Sequence, residues 1–371
     1  MSFTETTVAW VNSTHSLLSK TNVYILCLIL FGAYLILVRS LRYKYINNLR
    51  KQYPDPQVVF EDYDAAEAIF SHAFRREFPI ISRESLEFAL FKTFVVPSIS
   101  KTLVASTIFE KDCAKRADDT ELILGEIADP YPRIQNHMKI CPFISEMDIM
   151  NQRGRATQAI NRLNDIHAKH NIRNDDHIYT VGLFVAEPIR WIAQFEWREL
   201  DEREINAMFV IWADLGKKMK IKDIPATPQE LTAFRQHYEK TVVRYSKSNW
   251  KCAQHTIDHL LSRIPKLFWP IVYKIIPCVL DEHDIVAFGI EPPSPIFKTI
   301  FWYTMRLRAN FIRYLCLPRT DFVIRTPYSP NAQGRFTPVY DVYKSIYTTG
   351  YNIFELGHIK GESASKCPMS R

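Results

Sequence analysis

The chain has 371 residues, of which 47% are hydrophobic and 23% charged, so it can form a packed core and is not disordered as a whole. At roughly 150 residues per domain, the length suggests about two domains. Only ten residues are glycine, and no two of them lie within two positions of each other. This excludes a G-x-G-x-x-G loop, a P-loop and a G-x-S-x-G elbow, and with them the common nucleotide-binding folds and the α/β-hydrolases. Few glycines, amphipathic stretches and 13% aromatic residues predict a mostly helical protein.

The net charge of +7 is concentrated in one short segment. Residues 39–51 carry five basic side chains and no acidic one, which leaves only +2 for the rest of the chain. The five are Arg39, Arg42, Lys44, Arg50 and Lys51. The remaining charge is ordinary for a globular domain, so a nucleic acid is not expected as a partner.

The basic segment follows an apolar one. Val23–Val38 has no charged residue and would span about 24 Å as a helix, so a transmembrane helix is predicted over residues 23–41. A cleaved signal peptide is the alternative, but it would begin with basic residues and end in small ones, whereas this segment ends in Leu-Val-Arg.

The basic segment also predicts the topology of the chain. It places everything after residue 42 in the cytosol and residues 1–22, with the sequon at Asn12, in the lumen. The chain is thus expected to be a single-pass membrane protein. Seven scattered cysteines without a C-x-x-C pair fit a reducing cytosolic environment.

The rest of the chain is predicted to form a linker, one all-α domain and a tail. Residues 42–60 read as a basic juxtamembrane linker, residues 61–320 as the helical domain and residues 321–371 as an irregular tail with a disordered end. No internal repeat is visible. The clearest helical patterns cover about 153–170, 177–197, 201–220 and 229–264.

His167 is the first candidate site residue. Ala156, Ile160 and Leu163 precede it at helical spacing, so its side chain is expected to point toward the interior. A desolvated histidine tends to be neutral, and neutral imidazole is the form that binds a haem iron or another metal. The pattern alone favours the alternative, a core histidine hydrogen-bonded to a backbone carbonyl.

Arg116 and Thr120 form the second candidate, because a spacing of four places them on one helix face. The alternative is structural: Asp118 with Glu121 resembles a capping box that opens a helix. Other metal patterns are weaker. Asp175–Asp176 are expected to cap the helix that follows them, and His255 and His259, which lack a third ligand, are expected on a solvated face.

Six short segments resemble fungal ER-bound oxygenases of the MpaB type and, more distantly, the bacterial latex-clearing proteins that oxidise rubber. The resemblance covers about residues 60–320 and the N-terminal anchor, and residues 161–200 are its most specific part. The segments are RADDT (116–120), NRLNDIH (161–167), NDDHIYT (174–180), EPIRWI (187–192), EWREL (196–200) and LPR (317–319).

The resemblance implies an all-α fold that holds haem b, with O₂ as the co-substrate. His167 matches the axial histidine of the haem iron, and Arg116 and Thr120 match residues beside the haem. With this context the ligand interpretation of His167 becomes the favoured one. One position departs from the pattern: the rubber oxygenases carry Lys immediately before the Thr, and this chain has Asp119. A lysine ligand on the other side of the iron therefore does not transfer.

Two functional hypotheses follow. The first is a haem-dependent oxygenase of the endoplasmic reticulum membrane that cleaves a C=C bond in the prenyl chain of a secondary metabolite, such as a meroterpenoid. Its partners would be an apolar prenylated small molecule and the membrane, with no obligate protein partner. The apolar stretch Leu267–Phe301 would line the substrate channel or lie on the bilayer. The second is a non-catalytic, membrane-tethered helical protein that binds lipids or proteins.

Overall fold

The structure, a computed structural model, describes residues 3–106, 108–262, 264–342 and 346–357, with side chains from residue 22 onward and, after residue 106, from residue 112. Within these ranges the long elements are all helices, and β pairing is limited to a single bridge between Phe336 and Tyr351. The prediction of an all-α protein is confirmed.

Fourteen α-helices are present in the described ranges, joined by short 3₁₀ turns and a π-helical turn at His72–Glu77. In chain order they are α1 (Phe3–Gln52), α2 (Tyr63–Ser71), α3 (Pro79–Lys92), α4 (Pro97–Ala105), α5 (Ile108–Ala128), α6 (Pro130–Met138), α7 (Glu146–His167), α8 (Asn174–Phe195), α9 (Glu202–Lys218), α10 (Pro228–Val242), α11 (Lys247–Leu261), α12 (Trp269–Val279), α13 (Glu282–Phe288) and α14 (Pro295–Leu315).

The first of two compact units comprises Met1–Pro54 and Leu307–Pro318. Its Asn22–Gln52 helix is long and apolar enough to cross a membrane, and only 6% of its most apolar window is buried. Residues 42–52, assigned above to a linker, continue α1, because no proline or glycine lies between Gly32 and Pro54. The predicted lumenal tail and its Asn12 sequon lie almost wholly outside the described side chains.

The second unit comprises Asp55–Arg306 and Arg319–Arg371, and α8 is its central helix. Helices α3, α9 and α10 pack on α8, while α5 packs on α7 and α11. Most of α8 is buried, which fits its apolar sequence. Helices α3 and α4 together are also apolar enough for a broken membrane span, with 96° between them, but α3 lies against α8 in the core.

The predicted helices are present with shifted ends. Capping boxes mark two of the starts: Ser145 with Asp148 begins α7 seven residues before the predicted start, and Asp201 with Glu204 begins α9. The predicted continuous helix over 229–264 is wrong, because it is divided into α10 and α11. The buried Asn249 amide donates hydrogen bonds to the carbonyls of Val95, Arg244 and Ala287 near this break.

The tail after Pro318 is irregular, as predicted, but it is part of the core. Tyr351, Ile353 and Leu356 are completely buried and pack with Leu122 and Ile123 of α5. Arg162 of α7 donates a 2.7 Å hydrogen bond to the Leu356 carbonyl. The tail is therefore a structural element of the second unit. The predicted disordered end falls mostly on residues 358–371, which lie outside the described residues.

Candidate functional site

A large cavity lies inside the second unit. Its volume is about 1250 Å³, which exceeds the roughly 300–1,000 Å³ of most small-molecule sites. Helices α3, α4, α5, α7, α8, α9, α11, α12 and α14 contribute to its wall, together with parts of the tail. The wall is mostly apolar. Its aromatic side chains are Phe88, Phe91, Phe94, Phe184, Trp191, Phe195, Trp212, Phe301 and Tyr340.

His167 lies in the wall of this cavity, at the last residue of α7. Its Nδ1 is 3.0 Å from the carbonyl oxygen of Leu163. Because a carbonyl can only accept, Nδ1 carries the proton and the neutral ring presents the Nε2 lone pair. Burial, together with the charges of His177 and Arg116, lowers the pKa of His167 to about 4. The side chain is thus a neutral imidazole with a defined tautomer, which is what a metal requires.

Three other histidines line the same cavity. The His177 ring packs edge-on against His167, with centroids 5.5 Å apart, and burial lowers the pKa of His177 as well. His170 follows one turn after His167. His259, predicted on a solvated face, is instead buried in the cavity wall. The helical spacing of Cys252, Thr256 and His259 in α11 was the sequence signal that this prediction missed.

Arg116 and Thr120 both line the cavity, one turn apart on α5. Burial lowers the pKa of Arg116, which nevertheless remains a cation at any ordinary pH. Its charge contributes to the lowered pKa of His167, so the two side chains lie close enough to interact. The Thr120 hydroxyl donates a 2.8 Å hydrogen bond to the Arg116 carbonyl, which leaves its lone pairs available to accept. The structure therefore brings all three predicted site residues to one cavity.

Asp118 does not cap a helix, contrary to the alternative weighed above. It lies inside α5, where its carboxylate accepts a 2.6 Å hydrogen bond from Arg325 of the tail. The break in α5 is at Asp112, which has non-helical backbone angles and accepts a 3.1 Å bond from the Lys115 backbone N–H. The local motif suggested the wrong residue because the partner of Asp118 is 207 positions away.

Asp119, which stands where the rubber oxygenases have Lys, is also bound by the tail and therefore has a structural role. Its carboxylate accepts hydrogen bonds from the Tyr347 hydroxyl, from Lys115 and, at 3.0 Å, from the Gly357 backbone N–H. Gly357 has φ +74°, and a Cβ there would lie 2.2 Å from an Ile166 methyl carbon. Only glycine fits at this contact between the tail and α7.

The cavity offers no thiolate among its described residues. Cys113 lines the cavity, but burial raises the pKa of its thiol to about 11. The neighbouring Cys252 is buried, and its pKa is raised to about 12 by burial. Both cysteines are therefore protonated at neutral pH and are poor metal ligands. Imidazole is the ligand type that the cavity presents.

Two other segments of the resemblance form buried ion pairs. Glu187 of α8 and Asp284 of α13 lie 3.0 and 3.1 Å from the fully buried Lys92 ammonium of α3, which thereby keeps its charge. Arg198 forms a bidentate pair with Glu204 at the start of α9, at 2.7 and 2.8 Å. These residues position the helices around the cavity.

No protein-family model matches the chain. Three fungal proteins are similar to it. Over 307 residues it is 29% identical to the ER-bound oxygenase mpaB' of Penicillium brevicompactum, covering 77% of this chain and 68% of that protein. Over 274 residues it is 28% identical to the ER-bound oxygenase mpaB of Penicillium roqueforti, covering 68% and 85%. The mpaB protein of P. brevicompactum is 28% identical, with coverage of 71% and 67%.

This chain is similar to ER-bound oxygenases of the MpaB type. The predicted resemblance to the MpaB-type oxygenases is confirmed. The apolar helix Asn22–Gln52 is consistent with a membrane-bound protein of this type.

The role of Asp118 can be measured with a double-mutant cycle. We expect Asp118→Asn and Arg325→Gln to be coupled by about 1–3 kcal/mol in the free energy of unfolding, because they share a buried ion pair. Asp112→Asn, which changes the actual cap, should couple to Arg325→Gln by less than about 0.5 kcal/mol. Chemical unfolding followed by circular dichroism in detergent provides the values. If the effects of Asp118→Asn and Arg325→Gln on the free energy of unfolding are additive, the two residues do not share an ion pair.

Proposed function

We propose that this chain is a membrane-anchored, haem-dependent oxygenase that cleaves a C=C bond in the prenyl chain of an apolar substrate. One observation carries the proposal: a neutral imidazole, His167, and a buried guanidinium, Arg116, line one large apolar cavity. The relatives named ER-bound oxygenases support the reaction class.

The residues of the cavity fit haem b. The Nε2 lone pair of His167 is available because Nδ1–H donates to the Leu163 carbonyl, and a backbone acceptor of this kind typically orients a metal-binding histidine. The aromatic wall suits a flat apolar macrocycle, and Arg116 can pair with a propionate. When bound, the haem would supply an iron able to activate O₂.

The protein's own groups would then control the reaction. Arg116 would hold a fixed positive charge where negative charge develops on oxygen, which is most effective in a dry cavity. Thr120 would accept a hydrogen bond from a donor on the same side of the cavity. The aromatic wall would exclude water and align the prenyl chain. Adding both atoms of O₂ across one double bond gives two carbonyl groups, so this cleavage needs no external reductant.

The substrate would reach the enzyme through the membrane. A prenylated molecule is scarcely soluble in water and partitions into the bilayer, so an anchored enzyme meets it there. The basic residues after the span would hold the catalytic unit on the cytosolic face of the endoplasmic reticulum, with the N-terminus in the lumen. No obligate protein partner is needed for this scheme.

His167→Ala should abolish haem binding while the helical signal is kept, because the proposed iron ligand is lost from a cavity that is otherwise intact. The measurement is the absorbance spectrum of the detergent-purified full chain, with its Soret band, beside its far-ultraviolet circular dichroism. Imidazole added to the buffer should restore part of the Soret band by replacing the deleted ring.

His170→Ala and His177→Ala are the matched controls, since both residues line the same cavity. Each should retain a Soret band near that of the wild-type protein. If one of these variants loses the Soret band while His167→Ala keeps it, the iron ligand is the histidine replaced in that variant. A wild-type protein that stays colourless when expressed with sufficient haem would instead favour the lipid- or protein-binding alternative.

Arg116→Ala should reduce O₂ consumption per bound haem about 100-fold or more, with a prenylated phenol as the test substrate, because a preorganised charge is lost. Arg116→Lys should be intermediate, since it keeps the charge but not the planar fork. The infrared stretching frequency of carbon monoxide bound to the reduced protein should shift in Arg116→Ala. Arg153→Ala, which removes an exposed arginine of α7 outside the cavity wall, should change neither measurement. If Arg116→Ala keeps the wild-type O₂ consumption and carbon monoxide frequency, Arg116 and Thr120 have a structural role only.

The topology can be checked with sealed microsomes. We expect added protease to digest the second unit without detergent, because the basic residues that follow the span favour the cytosolic side. An epitope placed before residue 22 should be protected until detergent is added. The reverse pattern of protection would overturn the proposed orientation.

A further inference from the structure

Helices α12 and α14 expose apolar side chains that no other described part of the chain covers. The exposed fraction is 81% for Leu267 in the turn before α12, 70% for Ile296 and 74% for Tyr303. Along α14 the exposed apolar residues recur at intervals of three or four and form a continuous stripe on one helix face. The stripe consists of Ile296, Ile300, Tyr303, Leu307, Phe311 and Tyr314.

The charges on these helices are all of one sign. Residues 266–280 and 294–318 contain six lysines and arginines and no aspartate or glutamate. Four of the cations are exposed on the second unit: Lys266, Lys274, Lys298 and Arg306. An apolar helix face flanked by cations is typical of helices that lie in the plane of a membrane with anionic lipids.

The opposite faces of the same two helices line the cavity. Ile275, Ile276 and Val279 of α12 reach it, as do Phe301 and Met305 of α14. The helices lie next to each other, since the Lys274 ammonium is 5.0 Å from the centre of the Phe297 ring. A single layer of helices thus separates the cavity from the exposed apolar surface.

Helix α14 ends beside the membrane helix. Within the first unit, the Tyr34 hydroxyl donates a 2.8 Å hydrogen bond to the Leu315 carbonyl, and Arg42 donates to the carbonyls of Cys316 and Leu317. Tyr34 belongs to the apolar span and Arg42 to the basic residues that follow it. The last turn of α14 therefore packs where the apolar segment of α1 meets the basic residues that follow it.

We propose that the outer faces of α12 and α14 dock on the anionic surface of the membrane that α1 crosses, as a second membrane contact. The docked helices form the wall between the bilayer and the cavity, so an apolar ligand reaches the cavity from the lipid without crossing water. This consequence rests on the proposed function, whereas the docking itself does not depend on haem.

The test uses the full chain in lipid nanodiscs. A phospholipid with a photoactivated carbene precursor in its acyl chain labels protein groups that contact lipid, and mass spectrometry maps them. We expect labels in Val23–Val38, the internal standard, and also in α12 and α14. Labels in α12 and α14 should be stronger in phosphatidylcholine mixed with phosphatidylserine than in phosphatidylcholine alone.

Matched sites and variants separate docking from simple exposure. Met147 and Met150 of α7 are 64% and 67% exposed but lie beside Glu146 and Asp148, and they should stay unlabelled. Lys298→Gln and Arg306→Gln should each weaken the docking equilibrium about fivefold on the anionic mixture. Tyr303→Glu should remove most of the α14 label, and Met150→Glu should change nothing.

Each outcome decides the proposal. Label confined to Val23–Val38, or equal label on Met147 and Met150, would overturn it. If α14 carries no lipid label and an amine-reactive cross-linker joins Lys298 of two chains, the surface belongs to a second copy and the docking proposal is overturned. The Soret band is recorded on the same samples, so a colourless protein with labelled α12 and α14 would refute the proposed function and leave the docking supported.

Discussion

The buried carboxylates of α5 are the constraint on which the rest of the second unit depends. A carboxylate taken out of water costs several kcal/mol unless a cation or good hydrogen-bond donors compensate it. Asp118, Asp119 and Glu126 all lie in this position, and for each of them the tail supplies a partner. Arg325 holds Asp118, and Tyr351 donates to Glu126, which also binds arginines of α6 and α7. The tail is thereby fixed along α5, although it has no regular secondary structure of its own.

These contacts also set the rotation of α5 about its axis. Asp118 points away from the cavity toward the tail, and two residues along a helix turn the side chain by about 200°. Arg116 is therefore directed into the cavity, with Thr120 one turn further along the same face. His167 reaches the cavity from α7, which packs on α5. The apolar surroundings then keep the imidazole neutral and the guanidinium poorly hydrated, as the proposed haem site requires.

Helices α12 and α14 each have two apolar faces. A helix that is apolar on both sides normally lies in a protein core, but here only one face is covered by protein. The sequence interpretation had placed Leu267–Phe301 either along the channel or on the bilayer. The structure places the inner face along the cavity and leaves the outer one open, so the two alternatives are compatible. Lipid on the outer face would remove a large exposed apolar surface from water.

The sequence by itself determined the helical class, the apolar span and the approximate positions of α7, α8 and α9, because periodicity, hydropathy and capping residues are local properties. It also identified Arg116, Thr120 and His167 as candidates, through spacing and short motifs. Only the tertiary structure decided that these three line one cavity, that Asp118 binds the tail instead of capping a helix, and that His259 is buried. The physical reason is the range of the interactions: a buried charge or imidazole is positioned by partners up to two hundred residues away, and local periodicity carries no information about them.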